Sequence, residues 1–205
     1  MTNETLEGYK HGRVPRAVRE RQLLDLAERR FIDHGYAGFS IEDLCRDANV
    51  SRPIVYDHFG SKAGIFLACL RRIRDEFEQT LIDAAASAPD APSAIKQGAD
   101  AYFRIIERDP KRWSLVYGGS AVPNGPLAEE LYELRAGTVE RIAAVAARFA
   151  PNAKRDALTA YANFVSGAGE QLGHWWLRNP KISRRRIVTY YLEYAVAAMQ
   201  PLLER

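Results

Sequence analysis

The sequence predicts an all-α chain of about nine helices, with a three-helix N-terminal unit carrying a helix-turn-helix pattern and a larger C-terminal helical bundle. Three observations carry this. Apolar residues recur at spacings of three and four through most of the chain, and no run of useful length alternates with the period of two of a half-buried strand. Capping residues and Pro or Gly breaks punctuate the sequence at intervals suited to helices. Hydrophobic residues fill 47% of the 205 positions, which suffices for a packed core and excludes a disordered chain.

The elements follow in order. Residues 1–15 are polar, lack periodicity and end in Val14-Pro15, which reads as a disordered arm. A helix over Arg16 to His34 buries Leu23, Leu24, Ala27 and Phe31, and Gly35 stops it just past its C-terminus. Ser40 caps a short helix, Ile41 to Ala48, with Asp43 at the acidic position of a capping box and Ile41, Leu44 and Ala48 facing inward. Asn49-Val50 makes the turn. Ser51 caps the second short helix, and Pro53 sits in its first turn, where a missing N–H costs nothing. Ile54 and Val55 point inward, leaving Arg52, Pro53, Tyr56, Asp57 and His58 outward. Tyr36, Phe39 and Phe59 complete this small core, so Phe31 or Phe59 to Ala is expected to unfold it.

Ser61 caps a fourth helix, Lys62 to about Ala86, whose stripe includes Ile65, Phe66, Cys69, Ile73, Phe77 and Leu81. Gly64 is expected to weaken its first turn by up to about 1 kcal/mol. The domain boundary is placed within this helix, giving an arm over 1–15, a first domain over 16–66 and a second over 67–205. The Ser87-to-Pro92 stretch breaks the chain. Helices then follow over Ser93 to Arg108, Asp109 to Gly118, Leu127 to Phe149 and Ala153 to Arg178, and a last one capped by Ser183 reaches Leu203.

An eight-residue helix with polar outward side chains is too short to be stable alone and fits a recognition helix laid into a DNA major groove. The same pattern also occurs in helical proteins that bind no DNA. The residues favour the first reading. Phe31…Gly35-Tyr36…Gly38-Phe39-Ser40, then Val50-Ser51, then Tyr56-x-His58-Phe59-x-x-Lys62 resemble the N-terminal domain of the TetR family of bacterial transcription regulators. The resemblance spans roughly residues 16 to 70, and the length and helix count of the remainder agree. It implies a homodimeric, ligand-responsive transcription regulator, most simply a repressor released from a palindromic operator by a small effector. The alternatives are a regulator without an effector, or an activator.

On this reading Arg52 reads a base edge, and Pro53 and Ile54 meet thymine methyls or sugar. By resemblance Tyr56, His58 and Lys62 hold DNA, largely its phosphates, with Ser40 and Ser51 assisting at the two caps. Asp57 either reads cytosine or excludes wrong sequences. Five basic residues against one acidic over residues 10–21 make the arm a second candidate for DNA contact, or simply a solvated terminus.

In the C-terminal part, Leu158, Val165, Gly169, Leu172 and Trp176 share one helical face, and the last helix has an apolar arc wider than one core contact needs. With Val188, Leu192, Ala195 and Met199 they form the expected dimer interface, the alternative being a monomer whose other helices cover both faces. Tyr102, Phe103, Trp113, Tyr117, Phe164 and Trp175, with Gln171 as a polar handle, are candidate ligand-binding residues. They suit a hydrophobic or aromatic effector and read equally as ordinary core.

Other functions are not expected. The glycines of Gly167 to Gly173 lack the spacing and the preceding strand of a dinucleotide loop, and more simply allow close helix approach. His11, His34, His58 and His174 lack metal-ligand spacing, so neither a metal nor a cofactor is expected, and no enzyme motif occurs. Cys45 and Cys69 read as reduced thiols of a soluble cytoplasmic protein. The longest uncharged run, Trp113 to Ala128, is broken by Gly and Pro and cannot be a membrane helix.

Overall fold

The computed structural model describes residues 14–118 and 126–204. Among these residues it contains nine α-helices and no strand. The expected basic arm and the Gly- and Pro-rich loop fall largely outside the described residues. The chain divides into two compact units, Met1–Arg72 and Ile73–Arg205.

The first unit holds α1 (Arg16–Gly38), α2 (Ile41–Ala48), α3 (Arg52–Phe59) and the start of α4 (Lys62–Ala85). Gly35, at φ 67°, interrupts α1 where the sequence places its stop, so a last turn follows the break. The Ser40 hydroxyl accepts from the Asp43 N–H at 3.3 Å and starts α2. Asp43 gives its carboxylate to Arg30 and Arg46. Asn49 closes α2 in the left-handed region (φ 52°), and the Val50 N–H reaches back to the Cys45 carbonyl at 3.0 Å. The core gathers Leu23, Ala27, Phe31, Leu44, Val55 and Ile65, with Phe31 stacked on Phe39 at 4.0 Å and edge-on to Phe66 at 4.9 Å.

Three expectations change here. Ile54 is 39% exposed, because an eight-residue helix lying on one surface buries only the face that Val55 occupies. Phe59 is only half-buried beside His58, so Phe31 carries the core. At Gly64 a Cβ would stand 2.0 Å from the Phe59 carbonyl oxygen, so glycine is required by a close backbone approach. Cys69 and Arg72 belong with this unit: Cys69 lies under the Leu24 carbonyl, and Arg72 pairs with Asp25 and Glu28. Those contacts set the division between Arg72 and Ile73, beyond the expected residue 66.

The second unit holds the rest of α4 with α5 (Ala91–Arg108), α6 (Pro110–Tyr117), α7 (Pro126–Ala147), α8 (Arg155–Leu177) and α9 (Arg184–Leu203). Asp90, Asp109 and Ser183 cap α5, α6 and α9 by accepting the N–H groups of Ser93, Arg112 and Arg186. Phe103, Ile106, Trp113 and Ile187 are fully buried. Gly173 lets Trp113 approach α8 so closely that an added Cβ would meet its ring at 2.8 Å. Gly167 meets nothing within 4 Å, so close approach within the protomer does not explain it. No helix among the described residues is long and apolar enough to cross a membrane.

The expected dimer face turns inward. Leu158, Val165, Gly169, Trp176, Val188, Ala195 and Met199 are buried inside this unit, and Leu172 and Leu192 are half-buried. The exposed apolar side of the same helices carries Phe164 (49%), Trp175 (38%) and Tyr194 (58%). A helical wheel separates two faces, but it does not say which one the other helices cover.

Candidate functional site

Two sites emerge, one in each unit. In the first, α3 stands on Val55 and turns Arg52, Pro53, Ile54, Tyr56 and Asp57 to solvent. Ser51 precedes α3 but its side chain makes no capping bond, so its exposed hydroxyl is available to a ligand. Arg52 pairs with Glu42 of α2. Glu42 also accepts from the Ser40 hydroxyl at 3.0 Å. Its own backbone N–H, then Ser40 and Arg52, hold the Glu42 carboxyl below its usual range. The result is an exposed Ser40–Glu42–Arg52 chain joining the two short helices. Such a pair is held loosely in water, so a phosphate or base edge can compete for Arg52.

Asp57 is similarly engaged. Arg16 of α1 donates to its carboxylate at 2.6 Å and to its backbone carbonyl at 2.9 Å. Two expected DNA contacts sit differently. The His58 side chain is buried, with Nδ1 3.8 Å from the Glu20 carboxylate and no hydrogen bond among the described residues. Lys62 donates from Nζ to the carbonyls of Phe39 (2.8 Å) and Ala37 (3.2 Å) and lies over the Tyr36 ring. It closes the end of α1, where orphan carbonyls need a donor. Glu42 was not singled out from the sequence, and Arg16 entered only as one of the five basic residues over 10–21. Their signal was available only as opposite charges, which abound on any helical surface.

The second site is a cavity of about 190 Å³ in the C-terminal unit, bounded by α4 to α9. Most of its wall is aliphatic. One side of α5 contributes mainly small residues, Ala91, Ala94, Gly98 and Ala99, with Ile95 among them, and ends at Tyr102. Of the expected ligand residues, Tyr102 and Tyr117 line the cavity, and burial pushes both phenols up. Phe103 and Trp113 are packed core, with Trp113 Nε1 donating to the Tyr102 hydroxyl at 3.1 Å. Phe164, Gln171 and Trp175 lie on the exposed outer side of α8 and do not reach the cavity. The polar residues missed by the sequence reading are Glu78, Thr138, Arg141 and Ser166. A run of small residues at helical spacing on α5 was the signal that could have pointed here. Among the described residues no group of three His, Cys, Asp or Glu could hold a metal.

Residues 23–69, which contain α2, α3 and their α1 and α4 supports, match the model of the bacterial regulatory proteins of the tetR family. That stretch is an N-terminal domain of the TetR family. The chain is 30% identical over 125 residues to the HTH-type transcriptional activator FasR of Mycolicibacterium smegmatis, covering 60% of this chain and 57% of that one. It is 28% identical over 155 residues to the HTH-type transcriptional regulator EthR of the same organism, covering 75% and 69%. The match thus spans little more than half of FasR. The fold is shared with solved structures: the transcriptional regulator FadR of Bacillus subtilis, in complex with stearoyl-CoA, superimposes with a TM-score of 0.68 at 13% identity, over 89% of this chain and 97% of that one.

Proposed function

We propose that this chain is a homodimeric transcription regulator whose α3 enters the major groove of an operator and whose cavity takes a hydrophobic small molecule. One observation carries the reading: α3 is anchored by Val55, with the His58 side chain also turned inward, and holds Arg52, Ile54 and Tyr56 out to solvent on the face a major groove would receive. Arg52 reads a base edge, Ile54 and Pro53 meet thymine methyls, and Tyr56 and Ser51 bond phosphates. Lys62 and His58 hold the helices that present them. A second copy covers the exposed side of α8 and α9 at Phe164, Trp175 and Tyr194, in place of the inward face that the sequence suggested.

Ligand entry would move the Glu78-to-Ala85 wall of α4, a helix that runs unbroken from Lys62. The ligand must favour one state by a kcal/mol or more, as a rough threshold, to act as an effector. Release from DNA would make the protein a repressor. The activator name of FasR supports the opposite sign as the second reading.

The test is operator selection from random duplexes with the full chain, repeated for Arg52→Ala. A loss of about 1–3 kcal/mol concentrated at one base position is expected. An equal loss on every sequence would confine Arg52 to phosphate, and no selected sequence at all would end the regulator reading.

A further inference from the structure

The cavity carries its charged side chains at one end only. Contacts between α4 and α7 run in parallel register: Arg74 donates to the Leu134 carbonyl (2.7 Å) and Thr138 (2.8 Å), Thr138 donates to Glu78, and Arg148 donates to the Ala86 carbonyl. Glu78, Thr138 and Arg141 therefore share one end of the cavity, and Ala85, Ala146 and Phe149 share the other. On α5, Ala94 packs in the cluster with Ala85 at the apolar end. Tyr102 lies at the polar end beside Tyr117, over whose ring Arg74 sits. From Ala91 to Tyr102 the α5 wall extends roughly 16 Å at 1.5 Å per residue. Tyr161 and Tyr191 face the cavity too, but their hydroxyls donate to the carbonyls of Ala195 and Val165.

We propose that the ligand is a single unbranched aliphatic chain with an uncharged, hydrogen-bond-donating head, such as an alcohol or primary amide, its head at Glu78 and its tail along the Ala–Gly side of α5. This deepens, and rests on, the reading of the C-terminal unit as a sensor. An elongated wall made mainly of small residues, with Ile95 beside them, suits a chain better than a fused ring system. An extended chain of roughly twelve carbons, advancing about 1.3 Å per carbon, fills its length.

The head follows from the charges. The buried Glu78 carboxylate takes Thr138 on one oxygen and Arg141 on the other, and Arg141 also reaches Asp75 at 3.5 Å. Arg74 is already bonded to Leu134 and Thr138. Two guanidinium groups thus face two carboxylates, and a further carboxylate would stand beside Glu78 with both cations engaged. A donor head instead meets the lone pairs left on Glu78, with the Tyr102 hydroxyl as second partner.

The experiment is calorimetric titration of the full chain with octanol, dodecanol, dodecanamide and dodecanoate, repeated with Glu78→Gln and Ala94→Leu. Dodecanol and dodecanamide are expected to bind at least about tenfold more tightly than dodecanoate. Glu78→Gln should narrow that gap by admitting the carboxylate. Ala94→Leu, at the far end, should weaken dodecanol and spare octanol, which a general loss of structure would not do. Dodecanoate binding as tightly as dodecanol, or Ala94→Leu weakening both lengths equally, would overturn the proposal while leaving the sensor reading intact. No binding by any of the four would remove both.

Discussion

The two units use the space between their helices in opposite ways. In the first, Phe31, Phe39 and Phe66 fill the centre ring against ring, and the functional groups stand outside on a short helix. In the second, the facing positions of α5 are mostly alanine and glycine, with Ile95 and Tyr102 among them, and the candidate site is the hole they leave. On the proposed reading, one unit would bind with side chains that protrude and the other through side chains that are absent. A protruding set needs a stiff base, which stacked aromatics provide. A cavity can only be kept where neighbouring contacts are strong enough to hold its walls apart, and here Trp113, Phe103 and the Arg74–Thr138–Glu78 chain do so.

Substitutions at the two centres should break this contrast most sharply. Phe31→Ala removes the central ring of a small core and should cost about 3–5 kcal/mol. All three tryptophans lie in the second unit, so their emission follows that unit alone. The expected outcome is a lost or lowered first transition by circular dichroism, with the tryptophan transition unmoved. A common shift of both would show that the units do not unfold separately.

Two glycine substitutions sharpen it. Gly64→Ala forces a Cβ against the Phe59 carbonyl and should destabilise the first unit by about 1–3 kcal/mol, although alanine is the better helix former. Gly98→Ala meets nothing within 4 Å and should stabilise the second unit by up to about 1 kcal/mol. Chemical denaturation of both variants reads the signs directly. Equal signs would mean that helix propensity outweighs local packing.

The smallest effect is alkaline. Burial pushes the Cys69 thiol of the first unit from 9.0 up to about 12, and the Tyr161 phenol of the second from 10.0 up to about 12. Each folded unit keeps a proton that the unfolded chain would release. Their contributions are therefore complete below the ordinary values and are lost as pH rises towards the raised ones. Melting points should decline from about pH 9 by circular dichroism and from about pH 10 by tryptophan emission. Cys69→Ala should flatten only the former, and a melting point that rises over this range would contradict the assignment.

Much of the first site could be read from the chain because its signals are local. Ser40, Asn49, Pro53 and Gly35 act within a few residues of themselves, and the exposed side of α3 follows from one turn of helix. What could not be read there was long-range: Glu42 meeting Arg52, Arg16 meeting Asp57, and Lys62 turning back to the end of α1. In the second unit the aromatics drew attention to themselves, yet Phe103 and Trp113 proved to be packing, and Phe164 and Trp175 lie outside. Apolar residues fill cores and cover interfaces alike, so their identity does not separate the two uses.

By itself, then, the sequence determined the helices, most of their caps and breaks, the resemblance of the first unit to a known family, and the outward placing of Arg52, Pro53, Tyr56 and Asp57 on α3. These follow from backbone propensities and capping bonds that act over three or four positions. Only the tertiary structure decided which side of α8 and α9 faces inward, that Gly64 is required, and that Ala94, Gly98 and Glu78 border one slot. Those depend on where other helices pass, tens of residues away in the chain. A void is a relation among several surfaces, and no residue in the sequence spells it.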